Sequence, residues 1–474
     1  MVNLCMSRVT FVAGLLFLLA CGNEGNLVEP PAVANIVEGK FHAGVAVMDV
    51  TPPVGVPLAG YGGGERRMDV PDFDPTNYHT WLVPSEGVLD PIYAKALVLS
   101  DGETKVAFLS LDVVATVDGI VTLMSKYARD MGGTIPKENL FVFSSHTHSG
   151  PGAISGLTFW ELIGSDELVP SVRNEFAQKC ATVLFQAEQN LVPARFGSAT
   201  GILKGVTTNR RASTSPNLTP GMVDEELGIL RIDRIDGTPL ALVWNFGIHG
   251  TAHYTSNLKF SADIMGAVSA KIEAALNIPA LFANGAEGDI RPASGGASGI
   301  ETISPIIAQK VQEVFDGITT TPDVTLETAH EVVPFGKAKL DLTLKRIIGE
   351  YEELQFLQVL LLFGINPGFK ITLPNGWFES EFRFQAVRLN KTAIVSIPGE
   401  AIHQLGLQIK ADGKALGFQK VFPFGLANGH MGYITTETEY EVGGYEGLAT
   451  FFGPKTGENL RKSCKAVMDA VKPE

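Results

Sequence analysis

The chain reads as an α/β protein, with layered mixed β-sheets flanked by helices and its polar clusters gathered at the carboxyl ends of strands. Three features predict this. From Phe41 onward, apolar runs of strand length alternate with longer segments whose apolar residues recur at helical spacing. Strand pairs are joined by the two-residue turns Asp101-Gly102, Asp236-Gly237 and Asn390-Lys391, so the sheet is mixed rather than purely parallel. Five glycine-flanked polar clusters each follow an apolar, β-prone run.

The chain begins with a targeting signal. Arg8 precedes the apolar run Val12–Ala20, which is too short for a membrane span and has the form of a signal-peptide core. It ends in Leu18-Leu19-Ala20-Cys21-Gly22, which resembles a bacterial lipobox with Cys21 as the lipidated residue. The competing reading is an ordinary secretory signal with an incidental cysteine. We therefore divide the chain into a lipoprotein signal peptide at 1–20, a tether at 21–40 and one main domain at 41–474. The expected location is the cell envelope, on a membrane surface facing the periplasm or the exterior, or else secreted.

Composition sets further bounds. A chain of 474 residues, 45% hydrophobic, is long enough to bury a substantial core. A formal net charge of -14 and the lack of any basic stripe exclude a nucleic-acid partner. Cys5 and Cys21 belong to the leader, leaving Cys180 and Cys464 for a disulfide or for two inert thiols. The absence of a CxxC motif argues against a thiolate zinc site.

The elements follow in order. Ala43–Met48 is a strand, running into the Pro/Gly loop Asp49–Tyr61; residues 62–90 lack periodicity and are expected as an exposed loop. Ala94–Ser100 and Val106–Leu111 form a hairpin, a helix spans about 116–132, and Leu140–Phe143 is a strand. A helix at about 171–190 carries Val172, Phe176, Cys180, Val183 and Leu184 on one face. Strands Leu227–Ile232 and Leu240–Phe246, a helix at about 261–276, strand Ala280–Ala283 and a helix at about 303–316 continue the pattern. The late elements are strands Phe382–Leu389, Thr392–Ile397 and Val421–Phe424, and a helix near 457–471. The apolar run Leu354–Gly364 is either a core helix or an apolar flap beside a lipid-binding cleft.

The clusters carry the chemistry. Val142-Phe-Ser-Ser-His146-Thr-His148-Ser-Gly-Pro-Gly152 places two imidazoles one residue apart at the end of a strand. At that spacing both reach one cleft only if the backbone bends, and the Gly-Pro-Gly turn is expected to supply the bend. His249 in Asn245–Thr251, the run Asn284–Asp289, Glu400 in Ser396–Glu400 and Tyr433 in Asn428–Thr436 sit in equivalent places. Each also has a plainer reading: surface histidines, a helix-capping Glu400, a buried Tyr433 phenol. Of Arg210 and Arg211, one reads as a surface charge. No motif supports His253, His403 or His430 as ligands.

Together, His146-Thr-His-Ser-Gly-Pro-Gly152, His249-Gly-Thr251, Gly288-Asp289, Pro398-Gly-Glu400, Tyr433-Ile-Thr-Thr436, Tyr445-Glu446 and Phe452-Gly-Pro454 resemble the neutral/alkaline (non-lysosomal) ceramidase family. Asp49-Val-Thr-Pro-Pro and Gly60-Tyr61 also fit, and the resemblance runs from about Ala43 to Pro454. It implies a zinc-dependent hydrolase that splits the N-acyl amide of ceramide or a related N-acyl lipid into a sphingoid base and a fatty acid. It also implies that His146, His249, Glu400 and Tyr433 hold Zn2+, that His148 moves a proton or bonds the tetrahedral intermediate, and that Arg210 stabilises the oxyanion. Tyr445 falls in the substrate-binding region of the same pattern. The implied partners are a ceramide-like lipid and, through Cys21, a membrane surface; alternatives are another amide or ester substrate, or an inactive lipid- or glycan-binding lipoprotein.

Two departures stand out. Where the family reads Val-Ser-Pro-Asn after Gly-Asp, this chain has Ile290-Arg291-Pro292-Ala293. Arg291 is therefore expected either to pair with Asp289 or Glu287, or to bind an anionic group of the substrate. The chain also ends twenty residues after Pro454, so the family's C-terminal immunoglobulin-like domain is expected to be missing.

Overall fold

Residues 39–342 and 370–474 are described by the structure, a computed structural model. The signal peptide, nearly all of the tether and the Leu354–Gly364 segment lie outside the described residues.

In chain order the principal strands are β1 His42–Asp49, β2 Tyr93–Ser100, β3 Lys105–Leu111, β4 Leu140–Ser144, β5 Val192–Ile202, β6 Thr207–Asn209, β7 Glu226–Arg234, β8 Pro239–Phe246, β9 Ala280–Asn284, β10 Ile290–Pro292, β11 Leu326–Pro334, β12 Glu381–Leu389, β13 Thr392–Ser396, β14 Glu400–Ala401, β15 Lys420–Phe424 and β16 Tyr433–Ile434. The principal helices are α1 Asp118–Asp130, α2 Pro170–Gln189, α3 Asp263–Leu276, α4 Gly296–Asp316, α5 His403–Ala415 and α6 Thr456–Asp469.

An eight-stranded sheet has the order β9-β8-β7-β5-β1-β2-β3-β4, and a four-stranded sheet the order β11-β12-β13-β15. Pairs β8/β9, β3/β4 and β13/β15 are parallel, and the remaining neighbours in these two sheets are antiparallel. The larger sheet curves until strands from opposite ends meet: the Ser110 hydroxyl on β3 donates to the Phe282 carbonyl on β9 at 2.7 Å.

The apolar alternation along the strands assigns the layers. One face of β1–β4 packs against α1 and α2 through Val98, Leu109, Val121 and Phe176. The β8–β9 end packs against α3 and α4 through Trp244, Phe282, Ile272 and Val311. The other face meets the small sheet through Phe108, Phe141, Phe143, Val387 and Phe424, and the small sheet's outer face is covered by α5 and α6. The result is four layers, helix–sheet–sheet–helix, each burying one apolar face. Cys180 and Cys464 sit in different clusters as free buried thiols, so no disulfide joins them.

Three expectations change. Residues 62–90 are not simply exposed: Arg66, Thr80, Leu82 and Ser85 are buried. Neither Arg210 nor Arg211 is a surface charge, and Arg211 is only 1% accessible. The bend at the histidine pair lies at His146 itself, whose φ is 67°, and not in the Gly-Pro-Gly turn. Non-glycine residues rarely adopt that region, and such strain concentrates at functional sites.

Candidate metal centre

The five sequence clusters meet at one point. His146 and His148 leave the end of β4, and His249 leaves the end of β8. The short parallel pair β14/β16 sets Glu400 directly opposite Tyr433. Close approach demands the glycines here: a Cβ at Gly250 would lie 2.2 Å from the His146 carbonyl oxygen, and one at Gly288 would lie 2.4 Å from that of Glu400.

Four atoms converge. The Nε2 atoms of His146 and His249 are 3.0 Å apart. Glu400 Oε2 is 3.2 Å from the first and 3.4 Å from the second, and the Tyr433 hydroxyl is 3.2 Å from His249 Nε2. Ligands about 2.0–2.1 Å from one tetrahedral ion are separated by about 3.3 Å, so these spacings fit a shared ion. Glu400 Oε2 is buried without a hydrogen-bond donor among the described residues. His146 Nδ1 lies 2.8 Å from the Val114 carbonyl and His249 Nδ1 lies 3.1 Å from that of Glu287. Each backbone carbonyl accepts a hydrogen bond from Nδ1–H and so turns the Nε2 lone pair inward, the outer-shell arrangement of metal-binding histidines.

Electrostatics follow from burial and proximity. Burial alone would push the Glu400 carboxyl up, but His146, His430 and His249 hold it well below its ordinary range. Burial, followed by Arg210 and His146, pulls His249 well down and keeps it neutral. Burial pushes the Tyr433 phenol up, with Arg210 opposing.

His148 differs from the other two histidines. Its Nε2 is 3.3 Å from His146 Nε2, so it too borders the donor cluster. Its Nδ1, however, has no partner among the described residues, and the ring is held by packing against Gly60 and the Tyr61 ring. Burial, then the proximity of His146, keeps it well below the usual imidazole value.

Arg210 is committed to the phenol. It donates through Nη2 to the Tyr433 hydroxyl at 2.8 Å and to the Gly288 carbonyl at 2.9 Å, and through Nε to Glu446 at 2.8 Å. Tyr445 is 45% accessible and stacks edge-on to Tyr433, with ring centroids 5.1 Å apart. Arg291 makes neither expected ion pair. Asp289 accepts from His403 and Asn209, and both Glu287 carboxylate oxygens are buried without donors among the described residues.

Sequence reasoning missed several participants. His430 orients Glu400 by a 3.1 Å contact to Oε1, and only its place in a glycine-flanked loop hinted at this. Glu287 has a carboxylate oxygen within 4.8 Å of ligand atoms on His146 and Glu400. Asp166 accepts from the backbone N–H groups of Thr80, Trp81 and Leu82, tying the 62–90 segment to the site wall.

Above the cluster opens a cavity of about 770 Å³. Val117, Ile120, Ile154, Trp160, Leu448 and Phe451 supply apolar lining, and Thr251, Tyr254, Arg291 and Ser294 supply polar lining. A volume of that order suits a small amphiphile.

Fold and site together define a class: a four-layer α/β protein with a buried nitrogen–oxygen metal-type centre at the floor of an amphiphilic cavity. The profile of the neutral/alkaline non-lysosomal ceramidase family, N-terminal part, matches residues 41–309 and 358–462. The chain belongs to this family. It is 22% identical to the neutral ceramidase of Pseudomonas aeruginosa over 95% of this chain and 74% of that protein. It is 21% identical to neutral ceramidase B of Dictyostelium discoideum over 77% of this chain, and spans only 65% of that relative's length. The crystal structure of the Pseudomonas aeruginosa enzyme superimposes with a TM-score of 0.76 at 19% identity, covering 91% of this chain and 74% of that one. At that identity the likeness establishes the shared fold.

Proposed function

We propose that the protein is a zinc-dependent amidohydrolase that cleaves the N-acyl amide of ceramide or a related N-acyl lipid to an amine and a fatty acid. The convergence of His146 Nε2, His249 Nε2, Glu400 Oε2 and Tyr433 OH beneath an apolar-lined cavity carries this reading. A zinc ion in this donor set would supply Lewis acidity, polarising an amide carbonyl and acidifying water.

The chain's own residues do the rest. The apolar lining seats the acyl chain and excludes water from it. His148, neutral and bordering the cluster, accepts a proton as water adds to the carbonyl carbon. It returns that proton to the amide nitrogen as the C–N bond breaks, so the amine leaves neutral. Arg210 holds the Tyr433 oxygen in place and favours its charged form, while His430 fixes Glu400. Cleavage at Ala20–Cys21 followed by acylation of Cys21 would tether the enzyme where its lipid substrates lie.

Metal analysis of the purified protein, followed by fatty-acid release assays across N-acyl lipids, tests this reading. The expected result is one equivalent of zinc per chain, activity abolished by a chelator and restored by zinc, and metal lost in His249→Ala. Full activity in thoroughly demetallated protein would refute it.

A further inference from the structure

The cavity's charges are not balanced. The protein is strongly acidic, with a net charge of -14, yet arginines dominate the charged groups around its site. Arg210 and Arg211 are neutralised by Glu446 and Glu439. Arg67 donates to the Leu162 carbonyl. Like Arg67, two others have no carboxylate within ion-pair distance among the described residues. Arg66 is 1% accessible and lies behind Tyr61; its Nε donates to the Thr255 carbonyl, and both terminal nitrogens lack a partner among the described residues. Arg291 lines the cavity itself, and among the described residues no hydrogen bond or ion pair engages its side chain.

The backbone fixes where Arg291 stands. The Ile290 carbonyl accepts from the His249 N–H at 3.2 Å, and the Asp289 carbonyl accepts from the Arg210 N–H at 2.8 Å. Strand β10 pairs antiparallel with β6, setting Arg291 opposite Thr208. Ile290 and Pro292 are buried, so alternation turns Arg291 outward into the cavity. Its Cα is thus one residue from a carbonyl that anchors a metal-type ligand, and a planar fork of five donors stands over the polar lining. Tyr254 and Ser294 share that lining, and Tyr254 packs against Gly295, where a Cβ would meet its hydroxyl at 2.3 Å.

A guanidinium in that place cannot give up its proton, gains nothing from an alkyl head and gains less from an uncharged diol than from an anion. Exposed to the cavity and without a carboxylate partner among the described residues, it gains most from an anion bound bidentately. We infer that the preferred substrate is an anionic N-acyl amine: an amphiphile whose amide lies over the metal centre and whose amine portion carries a carboxylate, sulfonate or phosphate for Arg291. The chemistry is unchanged. Water supplies hydroxyl to the acyl carbon and hydrogen to the amine nitrogen, and the anionic group stays on the leaving amine. The inference rests on the amidohydrolase reading above and narrows its substrate.

The test compares substrates of one acyl length: N-lauroylglycine and N-lauroyltaurine as anions, N-lauroylethanolamine as the neutral control. Zinc-loaded wild type should show kcat/KM for the anions at least roughly tenfold above the neutral amide, and Arg291→Ser should lower that ratio by roughly tenfold or more. Arg291→Lys, which keeps charge but loses the fork, should fall between. An unchanged ratio in folded Arg291→Ser overturns the inference. A second readout needs no turnover: binding of decylphosphonate to metal-free protein, followed by tryptophan fluorescence. Its Kd should weaken roughly tenfold in Arg291→Ser, and equal Kd values would also overturn the inference. Arg291-dependent binding without cleavage of any amide would sink the amidohydrolase reading and leave the anion subsite standing.

Discussion

Gly60→Ala separates His148's proposed chemistry from the integrity of the metal centre. Gly60 has φ of 109°, and a Cβ there would lie 2.6 Å from His148 Cγ and 2.7 Å from its Nδ1. Ordinary contact begins at 3.4 Å, so the ring must retreat by about 0.8 Å. No hydrogen bond to Nδ1 among the described residues resists or redirects that movement. A misplacement of about 1 Å costs a reacting group on the order of 10²-fold in rate, or about 2.7 kcal/mol of barrier. The backbone strain of a Cβ at this φ adds a stability loss of about 1–3 kcal/mol. The expected variant is folded, binds metal as wild type does, and has kcat reduced by about 100-fold. The assay is kcat and KM for fatty-acid release, with metal content and Tm measured on the same preparation. Gly102→Ala is the control: φ is 93° with nothing within 4 Å of the added Cβ, so stability should fall and kcat should hold. A Gly60→Ala enzyme with kcat within threefold of wild type would refute the proton-carrier role of His148.

Arg211 bridges Glu439 and Glu446 with all three side chains buried; Glu446 keeps Arg210, but Arg211→Met strands the Glu439 carboxylate without a cation and should cost about 3–5 kcal/mol in denaturant unfolding. A loss below about 1 kcal/mol would show that the triad is dispensable. Burial raises the Glu379 carboxyl to about 7, although the residue as a whole is only partly enclosed. A raised folded pKa contributes stability below the unfolded value, lost as pH climbs through the folded one. Between about pH 4.5 and 7 the wild type should therefore lose up to about 3 kcal/mol that Glu379→Gln retains. Parallel stability–pH curves for the two proteins would remove Glu379 as the cause. Cys21→Ala, expressed in a bacterium that processes lipoproteins, should move from the membrane to the soluble fraction; complete retention in membranes counts against the anchor.

Most elements were legible because their patterns are local. The β2–β3 hairpin, β4, β8 and α2 all carry periodicities that their own few residues determine. Strand β5 was not legible. Its sequence, Val-Pro-Ala-Arg-Phe-Gly-Ser-Ala-Thr-Gly-Ile, reads as loop, yet it lies inside the eight-stranded sheet between β1 and β7. The glycines that disguise it answer to distant neighbours: a Cβ at Gly197 would lie 2.5 Å from Ile318, and one at Gly201 would lie 2.5 Å from Val314. Helix α4 likewise begins at Gly296, well before the apolar period is apparent.

The site divides in the same way. By itself, the sequence determined which residue types stand at the ends of which strands, and its resemblance to the ceramidase family nominated His146, His249, Glu400 and Tyr433 as one donor set. It also marked Arg291 as the position where this chain leaves its family's pattern. Only the tertiary structure decided that the bend sits in the strained backbone of His146, that Arg210 serves the Tyr433 oxygen, and that His430 steadies Glu400. Only the fold, too, turned Arg291 away from Asp289 and Glu287 and into the cavity. The physical reason is range. Strand and helix patterns are set by neighbours a few residues apart, whereas a buried charge finds its partner through contacts more than a hundred residues distant. Such contacts form only when β4, β8, β14 and β16 are held together by the packed sheets.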